Sequence, residues 1–162
     1  MDSGTYSLFS DYHSLFHEAN DNNQEVIFDK QFQDPDSGHW SHLFNQSIGY
    51  TGGWGATNPT QGLVDAYEMI DGMSISDSPL YDPANPYENR DPRLAASILY
   101  NGNIWRGRPI ESGLGGLEGI EKNGDATKTG YYSKKHLDES LENWGWGQQT
   151  GGNNWIHIRY AE

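Results

Sequence analysis

Asn58-Pro59-Thr60-Gln61-Gly62-Leu63-Val64-Asp65-Ala66-Tyr67-Glu68-Met69 is the stretch from which the fold is read. An Asn side-chain oxygen can accept from the unsatisfied N–H groups of a helix's first turn, and proline has no N–H to leave unsatisfied there. The pair therefore predicts a helix capped by Asn58 with Pro59 at its first position. Leu63, Val64, Tyr67 and Met69 or Ile70 recur at the spacing of a single apolar stripe, and Asp71-Gly72 supplies the stop.

Working downstream, residues 74–90 read as loop, punctuated by Pro79, Pro83 and Pro86. Asp91-Pro92-Arg93-Leu94 repeats the cap-then-proline signal for a short helical turn. Ala95 to Tyr100 reads as a strand running into Asn101-Gly102, with Ile104 to Ile110 pairing back as a hairpin. Residues 112–126 are Gly-rich, Thr129 to Lys135 reads as a strand, and residues 142–154 form a polar loop with two rings. Trp155 to Glu162 is apolar, well patterned, and stops inside an element, an expectation of truncation. Upstream, residues 34–58 read mostly as loop, holding Trp40, Trp54 and several glycines. Glu25 to Gln33 reads as a strand with Val26, Phe28 and Phe32 on one face and Ile27 opposite. Residues 5–18 read as a helix with Tyr6, Phe9, Tyr12 or His13, and Phe16 as its stripe.

Composition narrows the class. Leu, Ile, Val and Phe make up only 28 of 162 residues, and the formal net charge is −13. Those two features together are a signature of disorder, but 6 Trp, 10 Tyr and 5 Phe oppose it. Gly, Asn, Asp and Ser number 60, so loop chemistry is abundant and aliphatic core material scarce. The expected architecture is an irregular, loop-rich α+β unit spanning residues 1–162 whose rings stand in for aliphatic core. The acidic balance repels phosphate backbones, which argues against nucleic acid as a partner. With no cysteine, neither a disulfide framework nor a Cys-based zinc site exists. No apolar run approaches the length of a membrane span.

Four motifs in order carry a resemblance. The Asn58–Met69 stretch resembles the central helix motif of the SusD/RagB family. Tyr81-Asp82-Pro83 with Asn85-Pro86-Tyr87 and Arg90-Asp91-Pro92-Arg93-Leu94, followed by Ile98-Leu99-Tyr100-Asn101-Gly102, is similar to the stretch after it. Thr129-Gly130-Tyr131-Tyr132-Ser133-Lys134-Lys135 resembles the next strand, and Ile158-Arg159-Tyr160-Ala161-Glu162 looks like the opening of a following helix. The resemblance implies a fragment of a longer outer-membrane lipoprotein of Bacteroidetes, whose full form has a tetratricopeptide-like helical scaffold. It implies a non-catalytic glycan- or nutrient-binding role at the cell surface, beside a SusC-like TonB-dependent transporter. No cofactor is implied. The lipid-bearing cysteine, the signal segment and most of the scaffold are absent from these residues.

Sugar recognition asks for flat rings beside amide and guanidinium groups, since C–H faces stack on rings while hydroxyls seek polar partners. Trp144 and Trp146 lie two apart, on one side of an extended chain, with Gln148, Gln149, Asn153 and Asn154 close by. Trp105, flanked by Asn103 and Arg106, is the second candidate. Either set could instead pack beneath its own loop, and then the segment would serve structure or interaction without a ligand site. Trp54 is expected to staple its loop to the helix behind it, and Trp40 and His39 stand in the same position. His13/His17 and His39/His42 have helix-face and turn spacings for metal, but no third ligand is assignable, so no metal is expected. The acidic residues around Asp82–Asp91 fit turn-setting better than calcium. A glycosidase would need two carboxylates placed across a cleft, which no spacing here supplies.

Overall fold

The computed structural model describes residues 4–34, 36–50, 53–141 and 151–162. Trp144 and Trp146 lie outside the described residues. Regular elements are short: α1 (Ser41–Asn45), α2 (Gln61–Ala66), α3 (Pro92–Ser97), and strands β1 (Val26–Lys30), β2 (Ile98–Leu99), β3 (Ile104–Trp105), β4 (Arg108–Pro109), β5 (Tyr132–Ser133) and β6 (Trp155–Arg159). Among the described residues the strands form three two-stranded antiparallel ribbons, β1–β6, β2–β5 and β3–β4. The molecule is a loop-rich α+β unit, as its composition predicts.

Rings do make the core. Trp105 and Tyr132 pack with Leu99, Ile110 and Leu137, and Ile48 and Tyr50 close over them. A second cluster joins Val64, Leu94, Ile98 and Tyr131, flanked by Tyr67, Tyr87 and Tyr100. Tyrosine hydroxyls are tied down rather than stranded: Tyr132 donates to the Glu118 carbonyl at 2.8 Å, and Tyr50 to the Trp105 carbonyl at 2.6 Å. That is how phenols are used inside a core without the cost of an unpaired polar group.

The second cap-proline signal works as read. Asp91 accepts from the Arg93 N–H and Pro92 opens α3. The helix lasts through Ser97, however, so only Ile98 and Leu99 are strand, paired with β5. The hairpin lies inside 104–110 instead. Arg106 (φ 47°) and Gly107 (φ 81°) are both left-handed, as a two-residue turn matching strand twist requires.

The first cap is displaced. Thr60, not Asn58, caps α2, its hydroxyl accepting from the Leu63 N–H at 3.2 Å. Asn58 instead bridges loops, donating to the Gly55 carbonyl and accepting from the Lys128 N–H. The helix stops at Ala66, well before Asp71-Gly72, because Arg90 reaches in. Its guanidinium donates to the carbonyls of Val64 (2.6 Å), Tyr67 (2.8 Å) and Pro86 (2.9 Å), satisfying the exposed end of α2. Val64 and Met69 are buried from the expected stripe, whereas Leu63 and Ile70 face outward.

Two other expectations change. Residues 5–18 carry no α-helix; the described backbone there holds the 3₁₀ turn Ser14–Phe16, followed by a second turn at Glu18–Asn20. Asp11 accepts from the His13 and Ser14 N–H groups, and that local competitor starts a tight turn instead of a long helix. The terminal motif likened to a helix opening is strand through Arg159. β6 pairs with β1 in a ribbon that joins Val26 to Arg159 and Lys30 to Trp155.

Candidate functional site

The candidate rings and amides part company in the structure. Trp105 has no exposed surface. Its indole is walled by the core cluster and by the Lys134 ammonium, 5.6 Å from the ring centre. A ring so enclosed presents no face to a pyranose, so Trp105 serves the core. Asn103 beside it is half-buried and its backbone is used, accepting from the Ile110 N–H at 2.9 Å. Arg106, at the hairpin tip, faces the Tyr50 ring at 5.7 Å and donates to Gln46 Oε1 at 3.5 Å. Burial raises the Tyr50 hydroxyl's pKa, and the Arg108 and Arg106 charges work against that rise.

Asn153 and Asn154 are both buried and act as internal joints. Asn153 Nδ2 donates to the Phe16 carbonyl at 3.1 Å. Asn154 is held on every side: its N–H donates to Asp21 Oδ1 (2.9 Å), its Nδ2 to Asp29 Oδ2 (2.8 Å), and its Oδ1 accepts from the Phe32 N–H (3.0 Å). These amides fasten the segment leading into β6 to residues 16–32. These two amides are thus spent internally.

Trp40 and Trp54, both read as staples, are among the described rings that do reach solvent. Trp40 and Phe44 stand four apart at the start and on the body of α1, hence on one face. His42, Leu43 and Gln46 occupy the opposite, buried face. Trp54 joins from the next segment: the N–H groups of Trp54, Gly55 and Ala56 donate to the carbonyls of Leu43, Gln46 and Phe44 at 3.2, 3.0 and 2.7 Å. The strand-like segment uses the carbonyls that the end of a helix leaves free. Gly53 permits this approach, since a Cβ there would overlap the Ser47 carbonyl. Trp40, Phe44 and Trp54 are 40%, 38% and 37% exposed. Their ring centres are 6.5 Å apart for Trp40–Phe44 with planes at 28°, and 5.3 Å for Phe44–Trp54 with planes at 39°.

The three rings form one contiguous, partly exposed aromatic cluster on a strongly acidic molecule. Sequence reasoning missed it because Trp54 sits among glycines, a context shared by staples and platforms alike. The i, i+4 spacing of Trp40 and Phe44 was the signal available, hidden by the reading of residues 34–58 as loop.

Behind α1 the electrostatics are unusual. Burial pushes the pKa of His42 down to about 3, with His39 adding to the effect. His136 is likewise pushed down to about 3 by burial, with Lys135 next in effect. Asp21 is raised to about 6, again by burial. Among the described residues no group of three or more His, Cys, Asp or Glu is placed to hold a metal ion. Nor is any described helix long and apolar enough to cross a membrane.

Comparison with known proteins gives this geometry a context. Residues 24–162 match the model of a family described as the SusD family. A SusD-like carbohydrate-binding protein from Bacteroides fragilis superposes with a TM-score of 0.81 at 30% identity, over 98% of this chain and 31% of its own. A second SusD-like protein from Bacteroides fragilis gives 0.73 at 29% identity, over 96% of this chain and 34% of its own. Surface glycan-binding protein A from Bacteroides thetaiotaomicron shares the fold, with a TM-score of 0.57 at 16% identity, over 98% of this chain and 33% of its own. The chain spans about a third of the length of the solved structures it matches. No curated protein sequence matches it.

Proposed function

This chain belongs to the SusD family, and from that premise we propose that it is the loop-rich part of a non-catalytic glycan-binding protein of the bacterial outer surface. In this reading the whole protein is lipid-anchored in the outer membrane and passes oligo- or polysaccharide to a SusC-like TonB-dependent transporter. The observation that carries the reading is the exposed Trp40–Phe44–Trp54 face. Three rings held at fixed spacing by α1 and the Trp54–Ala56 backbone offer stacking area without the entropy of assembling it. The similar Bacteroides fragilis protein described as carbohydrate-binding supports it. The charge of −13 favours neutral glycans over polyanionic ones, which the acidic surface repels. Arg106 and Asn103, at the β3–β4 hairpin, are further polar ligand candidates of this reading. Trp144 and Trp146 belong to the same reading as further rings.

The test is retardation of the full-length protein in native gels containing a panel of neutral polysaccharides, alongside pectin and alginate as polyanionic controls. Retardation by at least one neutral glycan, reduced by Trp40→Ala or Trp54→Ala, is the expected result. Retardation unaffected by either substitution moves the site elsewhere, and none with any glycan defeats the reading. Co-purification with the transporter tests the partnership separately.

A second reading rests on the β1–β6 ribbon. Ile27, Phe28, Trp155, Ile158 and Tyr160 are all exposed, and Phe28 stacks on His157 at 5.6 Å. These exposed apolar side chains favour a packing role for the ribbon, which coexists with a ligand site on α1.

A further inference from the structure

Five of the six histidines, His13, His17, His39, His42 and His136, gather behind the buried side of α1. His13 and His17 meet edge to face at 4.9 Å, and His39 and His42 lie parallel at 6.1 Å. His136 lies between two rings, stacked on Trp155 at 4.5 Å and edge to face with Phe16 at 4.9 Å. Between them stands Asp138. Its carboxylate is 3.7 Å from His17 Nδ1, and its backbone N–H donates to His42 Nε2 at 3.2 Å.

The donors fix the charge state. A backbone N–H can only donate, so His42 Nε2 must carry the lone pair, which an imidazolium lacks. His39 obeys the same logic. Its Nε2 lies 3.0 Å from the Asn153 carbonyl and so donates, leaving Nδ1 to accept from Ser41, whose N–H and hydroxyl lie 3.4 and 2.7 Å away. Both rings are thus hydrogen-bonded in their neutral form. Protonating His42 would set its new N–H against the Asp138 N–H, turning an attraction into a repulsion.

The groups facing these rings are mostly cationic or capable of becoming so. His42 faces His39, His17, His136 and the single carboxylate of Asp138. His136 faces Lys135, His39 and His17. His13 faces Lys134, His17 and Glu139. On the segment leading into β6, Glu18 accepts from the Gly152 N–H and Asp21 from the Asn154 N–H. A proton on His13, His42 or His136 therefore meets neighbours that are already cationic or can become so.

We propose that this cluster is a pH-sensitive clasp: neutral imidazoles hold α1 against the Asp138 turn and the 151–154 segment, and acidification releases α1 and disassembles the Trp40–Phe44–Trp54 face. The mechanical link is α1 itself. Five residues long, it carries the clasp residue His42 on one side and Phe44 on the other, with Trp40 immediately before it. Turning or fraying it cannot leave the ring spacing intact. The proposal rests on the reading of that face as the ligand site, and it makes binding conditional on surroundings near or above neutral pH.

The test needs no ligand. Indole N–H resonances of Trp40, Trp54 and Trp105, and the ring protons of His42 and His136, are followed by NMR in this chain from pH 7.5 to 4. The expected result is a transition below the ordinary histidine range of about 6.5. Trp40 and Trp54 move together with protonation of His42, while Trp105 keeps its folded position. Two linked protons make the open-to-closed ratio rise up to ~100-fold per pH unit. His136→Phe keeps an aromatic ring between Phe16 and Trp155 and removes one proton, so the dependence falls towards ~10-fold per unit. His42→Gln, where it folds, uncouples Trp40 and Trp54 from the transition. Resonances of Trp40 and Trp54 that stay fixed to pH 4, all three indoles moving in one global step, or an unchanged proton count in His136→Phe would each overturn the clasp. Because no glycan enters the measurement, a failed clasp and a failed glycan-binding reading are told apart.

Discussion

Trp105→Ala separates a core ring from a ligand ring. The indole has no exposed surface and contacts Leu99, Ile110, Tyr132 and Leu137. Truncating a fully buried Trp costs about 3–5 kcal/mol through lost transfer energy and the cavity left behind. The area argument agrees: about 200 Å² of ring surface at 25 cal/mol/Å² gives about 5 kcal/mol. Losing the Lys134 ammonium over the ring adds about 0.5–1 kcal/mol. A loss of about 4 kcal/mol is a large share of the roughly 5–15 kcal/mol that a domain of this size commands. With a urea m-value of about 2 kcal/mol/M, the unfolding midpoint falls by about 2 M. The assay is urea unfolding at pH 7.5 followed by circular dichroism, which does not depend on the deleted fluorophore. A midpoint shift under about 0.5 M would refute the burial argument and return Trp105 to the list of ligand rings.

The complementary variants behave oppositely. Trp40→Ala and Trp54→Ala, at exposed rings, are expected to keep stability within about 1 kcal/mol of the parent while weakening retention in polysaccharide gels. Arg90→Met leaves three carbonyls without their donor. It should cost about 3 kcal/mol, measured by the same urea curves, with a loss below about 1 kcal/mol speaking against the guanidinium as the cap of α2. Acid should destabilise the fold by a predictable amount. His42 and His136 have folded pKa values of about 3, below their unfolded values of about 6.5, so the unfolded chain binds more protons throughout that window. Their stabilising contribution is full above pH 6.5 and falls as pH drops, by about 2 kcal/mol each at pH 5. Asp21, raised to about 6, works with the opposite sign between pH 6 and 3.8. By pH 5 it returns at most about 1.4 kcal/mol, less solvent screening, since it is partly exposed. Unfolding free energies from urea curves at pH 7.5 and 5 should therefore differ by about 2–4 kcal/mol, and equal stability at both would remove the histidines from the account.

What was legible in the sequence was what neighbouring residues settle among themselves. Asp91-Pro92 reads correctly because the cap acceptor and the proline act within one turn. β1 forms where the apolar run of residues 26–28 predicts a strand, but its expected face does not hold, because the register shifts around Phe28 and leaves Ile27 and Phe28 both exposed. The end of α2 does not read correctly, since Arg90, 23 residues beyond Tyr67, decides it. Burial of a tryptophan is likewise a property of distant partners. Trp105 has polar neighbours in sequence and an apolar shell in space; Trp54 has glycine neighbours and an open face. Asn153 and Asn154 have the residue types of a sugar site, but hydrogen bonds to partners more than 120 residues away consume them. Family membership was legible because motif order survives these local errors.

The β1–β6 ribbon has a consequence for how the chain reaches this state. Its rungs join residues 26–30 to 155–159, so the first rung to form must close a loop of about 125 residues. Such a closure costs about 4 kcal/mol in chain entropy before any hydrogen bond offsets it. The β3–β4 hairpin, by contrast, closes over two residues. Order should therefore spread from the Trp105 hairpin outward, with the ribbon zipping last. Until it does, Phe28, Trp155 and Ile158 sit on unpaired strand edges, where a second newly made chain could pair with them. Slow closure of this one ribbon makes refolding yield fall with protein concentration.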